Sequence, residues 1–204
     1  MTEWKRLQSG LMYNDFDEDL FQRRVAAKKL FRAYNRTEDE ETELRSRIMQ
    51  QLFKHVGKNV WIEPDFKCEF GKNITIEDDV YINFGCVILD CAEVSIGAHT
   101  LIGPNVGLYP VNHAINAEER IRGGCCGKPI HIEKNVWLGG DVKVLAGVSI
   151  GENTIIGTGS IVTKDIPANV IAVGSPCKVI REITENDRTD YLKRIGDRIN
   201  DREK

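Results

Sequence analysis

The 204-residue sequence predicts an all-β solenoid, a parallel β-helix of hexapeptide repeats, with an α-helical N-terminal cap and a helical C-terminal tail. Two features of the repeat carry this reading. An aliphatic residue recurs every six positions at Ile132, Leu138, Val144, Ile150, Ile156 and Val162, with small or β-branched residues four places on at Val136, Val142, Val148, Thr154 and Ser160. Shorter runs of the same period stand at Val56, Ile62 and Cys68, at Ile76, Ile82 and Ile88, and at Ile96, Ile102 and Leu108, with a step of 20 from Ile76 to Ile96. Helices repeat about every 3.6 residues and alternating strands every 2, so neither yields a strict six. A six-residue unit is a short flat strand and a corner, and three units return the chain to its starting azimuth about 4.8 Å higher. Residues one turn apart then stack and fill a triangular interior. An ordinary β-sandwich would need longer alternating strands.

The flanking elements follow in order. Residues 1–55 read as helices that cap the open end of the coil. Leu20, Phe21, Val25, Leu30 and Phe31 form one apolar stripe. Thr37-Glu38-Asp39-Glu40 has capping-box form and opens a second helix with Leu44, Ile48, Met49, Leu52 and Phe53 at helical spacing. The coil occupies residues 56–181 and is interrupted once, at residues 112–129, a stretch rich in Gly, Asn and charge that reads as a loop thrown off one corner. The coil's last stretch, Asn169 to Arg181, is extended and apolar. Residues 182–204 are a charged tail, with Leu192, Ile195 and Ile199 on a helical stripe.

Composition narrows the function. The chain is 41% hydrophobic and 29% charged, which fits a soluble globular protein and excludes disordered and collagen-like classes. Its formal charge is -3 and its basic residues are scattered, so it lacks the positive footprint that nucleic acid or an anionic membrane requires. No export signal or membrane-spanning run is present, and a cytoplasmic location is expected. Six cysteines, at 68, 86, 91, 125, 126 and 177, therefore read as reduced thiols. The four histidines, at 55, 99, 113 and 131, have no local zinc-site spacing, and no metal is expected.

His113 is the leading candidate for chemistry. It stands where the regular coil gives way to the excursion, and an imidazole with an ordinary pKa near ~6.5 accepts protons at neutral pH. A histidine at a loop entrance also occurs as a plain surface residue. His55, His99 and His131 flank corners or coil boundaries and read as structural.

The repeat, the helical N-terminal segment with Glu63-Pro64-Asp65-Phe66, Asn112-His113, Asn135-Val136-Trp137-Leu138-Gly139-Gly140, Gly159 to Pro167 and Gly174 to Arg181 together resemble the maltose and galactoside O-acetyltransferases of the hexapeptide-repeat superfamily. The resemblance spans about Trp4 to Arg181. It implies a left-handed β-helix that assembles as a homotrimer with active sites between subunits and moves an acetyl group from acetyl-CoA to a sugar hydroxyl. It implies His113 as general base, Asn83 as an active-site amide and the Gly140 N–H as oxyanion donor. On the cofactor side it implies Trp137 along the pantetheine arm, Thr158, Thr163 and Lys164 along the groove, and Lys178 and Arg181 at the nucleotide phosphates. Trp137 has a competing role as an aromatic packed between subunits, and the two basic residues as solvated charges. For the sugar it implies Asp15, Arg24, Tyr81, Asn83, Asp90 and Cys91. Galactoside-type members carry an acid where this chain has Cys91, so the resemblance leans towards maltose or glucose. Gly-Gly-Cys-Cys-Gly at 123–127 reads as a small flexible turn, ahead of a reading in which Cys125 and Cys126 line the acceptor pocket.

Three other functions stay open from the residues. A zinc hydratase on the same coil would use histidines shared between subunits. A non-catalytic scaffold would bind CoA without transfer. An acetyltransferase acting on amino sugars or xenobiotics is the nearest alternative, and the helical N-terminal segment argues for the sugar branch.

Overall fold

The structure, a computed structural model, describes residues 1–195. Three helices, α1 (Glu3–Gln8), α2 (Glu18–Tyr34) and α3 (Thr42–Leu52), precede the coil, with the short strand β1 (Tyr13–Asn14) between the first two. The coil has three flat parallel faces. One carries β2 (His55–Val56), β5 (Ile74–Ile76), β8 (Val94–Ile96), β13 (Ile130–Ile132) and β16 (Ser149–Ile150). The second carries β3 (Trp61–Ile62), β6 (Tyr81–Ile82), β9 (Leu101–Ile102), β14 (Trp137–Leu138), β17 (Ile155–Ile156) and β19 (Val170–Val173), and ends on antiparallel β20 (Lys178–Glu182). The third carries β4 (Lys67–Cys68), β7 (Val87–Ile88), β10 (Gly107–Tyr109), β15 (Lys143–Leu145) and β18 (Ile161–Val162).

The six-residue period becomes three interior columns. Val56, Ile76, Ile96, Ile132 and Ile150 pair in register, as do Ile62, Ile82, Ile102, Leu138, Ile156 and Ala172, and Cys68, Ile88, Leu108, Val144 and Val162. The residues four places on, including Thr154 and Ser160, are also buried. Leu138 is 0% exposed between Ile102 and Ile156, and the stacked rungs leave little room to collapse around a cavity. Leu138→Ala is expected to cost about 2–5 kcal/mol, read as a lower urea midpoint with an unchanged slope.

Each turn bends at the same corner through one left-handed residue: Asn59, Asp79, His99, Asn135, Asn153 and Asn169, with φ between 54 and 62°. Asn, Asp and His tolerate this region better than other side chains. His99 therefore holds a corner that asparagine holds elsewhere, and its Nδ1 lies 3.4 Å from Asp79. His131 Nδ1 meets the Ser95 hydroxyl at 2.8 Å.

The cap is continuous with the coil. Ala27, Phe31, Tyr34, Ile48, Met49, Leu52 and Phe53 share one cluster with the interior columns, and buried Arg45 donates to the Ile62 carbonyl at 2.6 Å while lying over the Tyr34 and Trp61 rings. Two local expectations need correction. Phe21 is 52% exposed and lies off the buried stripe, because α2 turns Leu20, Ala27 and Phe31 inward. Thr37 opens no helix: its hydroxyl donates to the Tyr34 carbonyl and so finishes α2, while α3 begins at Thr42 with no side-chain cap. The Tyr34 carbonyl at the helix end accepts both the Thr37 N–H and the Thr37 hydroxyl, so the side chain closes α2 and is not free to open α3.

Residues 112–129 are not a plain loop. They hold the end of β11 (Val111–His113), the one-turn helix α4 (Ala117–Ile121) and β12 (Gly124–Gly127). Gly-Gly-Cys-Cys-Gly is thus not a flexible turn. β12 is the central strand of a three-stranded antiparallel sheet, flanked by β11 and by β1 from the N-terminal segment. Its second partner lies more than a hundred residues upstream, where no local signal reaches. In the tail, residues 191–195 are helical, and Ile199 lies outside the described residues.

Candidate active site

Tyr13, Cys125 and His113 stand directly opposite one another across the three strands and form one row on one face of the small sheet. Tyr13 and Cys125 are buried, at 2% and 1% exposure, and His113 is exposed. The His113 Nδ1 lies 3.0 Å from the Cys125 Sγ, so the ring is held from behind while its other edge faces outward. Burial, followed by the nearby Asp15 carboxylate, pushes the Cys125 thiol up to about 11. Burial likewise raises the Tyr13 phenol, with the thiols of Cys91 and Cys125 beside it, and the Tyr13 hydroxyl has no hydrogen-bond partner of good geometry.

A charged cluster adjoins this row. Arg24 reaches from α2 to bond the carboxylates of Asp15 and Glu69, and also donates to the Asp15 carbonyl at 2.9 Å. Partial burial opposes its charge, but the two carboxylates outweigh this and hold the guanidinium firmly protonated. Glu69 is set in turn by Asp90. The Asp90 side chain is 0% exposed and accepts the N–H groups of Glu69 at 3.0 Å, Phe70 at 2.8 Å and Asn73 at 3.2 Å. Asp90 therefore shapes the turn that presents Glu69. Cys91 packs beneath it with Leu7, Tyr13, Leu20 and Phe70, and burial raises its thiol. Of the six residues expected at the sugar, Asp15 and Arg24 reach the surface here, whereas Asp90 and Cys91 support them from below.

The remaining expected residues occupy another corner. Asn83 precedes β7 and Asp90 follows it, so the two groups lie at opposite ends of one strand. The Asn83 side-chain oxygen accepts the Phe84 N–H at 2.8 Å, and the Tyr81 hydroxyl donates to Glu63 at 2.9 Å. Trp137 stands on the outer side of the same face as Tyr81, two rungs above it, and is 51% exposed. The Gly140 carbonyl accepts the Gly159 N–H at 2.9 Å, and no backbone acceptor takes up its own N–H. Gly139 is needed beneath it, since a Cβ there would come within 2.6 Å of the Thr158 nitrogen. Thr158, Thr163, Lys164 and Lys178 are exposed beyond Trp137. Arg181 is occupied: it forms a two-pronged pair with Asp187, at 2.8 and 2.6 Å, which holds that carboxylate down at about 2.

Sequence reasoning missed Tyr13, Glu69 and the role of Cys125. Glu69 directly follows the interior residue Cys68, and such a position puts a carboxylate on the outer edge of a strand end, a signal that was readable. The other two needed the pairing of β12 with β1. A recess of about 810 Å³, lined in part by Tyr34, Arg45, Met49, His55 and Trp61, contains none of these residues. Among the described residues, no three His, Cys, Asp or Glu side chains gather as a metal site would require, and no helix is long and apolar enough to cross a membrane.

The fold and its residues have relatives. Residues 6–57 match the maltose acetyltransferase hexapeptide capping motif, and residues 129–164 match the bacterial transferase hexapeptide model of six repeats. The chain is 42% identical over 193 residues to the galactoside O-acetyltransferase of Escherichia coli K12, covering 95% of this chain and 94% of that one. A maltose O-acetyltransferase structure from Clostridium difficile 630 superposes with a TM-score of 0.87 at 42% identity, covering 91% of this chain and 99% of that one. A galactoside acetyltransferase in complex with coenzyme A gives the same score and identity, covering 92% and 94%. The chain is an acyltransferase, and it belongs to the maltose and galactoside O-acetyltransferase family of hexapeptide-repeat proteins.

Proposed function

We propose that the chain transfers an acetyl group from acetyl-CoA to a hydroxyl of a sugar such as maltose or glucose, with His113 as general base. The observation that carries this reading is the His113 ring, fixed at Nδ1 across a rigid strand pair and open to solvent on its other edge, beside the Arg24 cluster. The free edge takes the hydroxyl proton as the sugar oxygen attacks the thioester carbonyl; the carbon–sulfur bond breaks and CoA leaves as its thiol. Asp15 and Arg24 orient the acceptor through directional, charge-assisted bonds.

Acetyl-CoA fits the Trp137 corner. Trp137 offers an exposed aromatic wall, Lys164 and Lys178 offer charge for phosphates, and Gly140 offers a main-chain donor for the carbonyl oxygen. Arg181 would serve the phosphates only by giving up Asp187. Within one chain Gly140 precedes β15 whereas His113 follows β10, its neighbour on the same face, so the length of that face parts the two corners. A second copy that docks its Trp137 face against the His113 corner completes the site, and a homotrimer satisfies this at each of three clefts. The free thiols agree with a cytoplasmic setting.

The acceptor is tested with glucosyl, maltosyl and galactosyl substrates, following CoA thiol release. With Cys91 in place of an acid and buried, kcat/KM for glucosyl or maltosyl acceptors is expected to exceed that for galactosyl ones by at least ~10-fold. Preference for the galactosyl sugar would reverse the assignment.

A further inference from the structure

The contact with Cys125 anchors the His113 ring, and the row Tyr13–Cys125–His113 also gives that contact a direction. We propose that Cys125 is the positioning residue of His113: its sulfur accepts the Nδ1–H, which fixes the tautomer whose bare Nε2 receives the substrate proton. This rests on the general-base reading of His113.

Four observations support it. The sulfur lies 3.0 Å from Nδ1, and the two residues are direct cross-strand partners, so the contact is built into the sheet register and does not depend on a mobile loop. Cys125 is 1% exposed and belongs to the cluster of Leu7, Tyr13, Leu20, Phe70 and Cys91, which immobilises it. The raised thiol keeps its proton at neutral pH and needs somewhere to direct it. The buried Tyr13 hydroxyl, which lacks a hydrogen-bond partner among the described residues, faces Cys125 across the opposite strand pair. With the S–H turned to Tyr13, the sulfur lone pairs are left for Nδ1–H, and donation runs one way along the row. Other charges near the row are Asp15 and Arg24, which pair with each other and leave the contact to the thiol. A protonated, solvent-excluded thiol is a poor nucleophile, so the pair is not a Cys–His acyl carrier.

The test uses the full-length protein with Cys125→Ala and Cys125→Ser. Cys125→Ala is expected to lower kcat roughly 10- to 100-fold, as loss of a histidine's supporting partner does elsewhere, with KM for acetyl-CoA unchanged. Cys125→Ser, which keeps a donor and an acceptor, is expected to recover most of that loss. Ring nitrogen NMR of wild type is expected to place the neutral-state proton on His113 Nδ1, and Cys125→Ala to return a mixture of tautomers. A wild-type ring protonated at Nε2 overturns the proposal even if neither variant folds. So does Cys125→Ala with near-normal kcat, or an acetylated Cys125 found by mass spectrometry after acetyl-CoA. If His113→Ala is inactive and Cys125→Ala is normal, this proposal alone fails; an active His113→Ala removes the general-base reading beneath it.

Discussion

His113→Ala is expected to remain folded while acetyl transfer falls ~10²–10⁴-fold, the usual size of a general-base contribution. The two halves of this result have separate causes. The ring is exposed and, among the described residues, its only hydrogen bond is to a thiol, so its removal leaves no buried oxygen or nitrogen there unpaired. Exposed sites of this kind change stability by about 0.5 kcal/mol or less. On the proposed mechanism the chemistry, however, loses the group that accepts the proton of the attacking hydroxyl. Release of CoA thiol measures the rate, and thermal unfolding measures the fold. Near-normal turnover in the variant would remove His113 from the reaction.

Asp90→Ala is expected to act the opposite way, through stability. Its carboxylate accepts three backbone N–H groups; that of Glu69 keeps the Ile88 carbonyl as a second acceptor, whereas the buried ones of Phe70 and Asn73 would be left bare, each at about 1–3 kcal/mol. A total of about 2–6 kcal/mol is expected, enough to lower the unfolding midpoint strongly, and Arg24 would lose the ordered Glu69 that holds it. Asp90→Asn is milder, because it keeps one accepting oxygen, although its amide N–H₂ then faces an N–H donor. The pair also has a pH signature. Burial pushes Asp90 up to about 6, against the lowering influence of its N–H bonds, while the unfolded carboxyl sits near ~3.9. The folded state then binds the proton more tightly than the unfolded one. This contribution is full below the unfolded value and is lost as pH rises through about 6. The stability gap between wild type and Asp90→Asn should therefore narrow from pH 4.5 to pH 7.5 in urea titrations. A gap that widens with pH would show that the three N–H bonds outweigh desolvation.

How far each part was readable depends on the range of its signal. The interior columns were readable because one residue in six must point inward in every rung, and Ile132 to Val162 obey this without a slip. The capping box at Thr37 failed because a short polar side chain near a helix end serves whichever backbone group lies closer, and here that was the Tyr34 carbonyl. Asp90 and Cys91 lie beneath the Arg24 cluster, and their depth was not readable, since burial depends on what α1 and β1 lay over them.

Residue order was enough to establish the coil, its helical cap and its single interruption, because each repeats or contrasts over a few positions. Long-range pairing had to supply the rest. Cys125 became the support of His113, and Asp15 came to share Arg24 with Glu69, when β1 docked against β12; that contact is worth having only once α1 and α2 bury their apolar sides, which spacing along the chain does not encode.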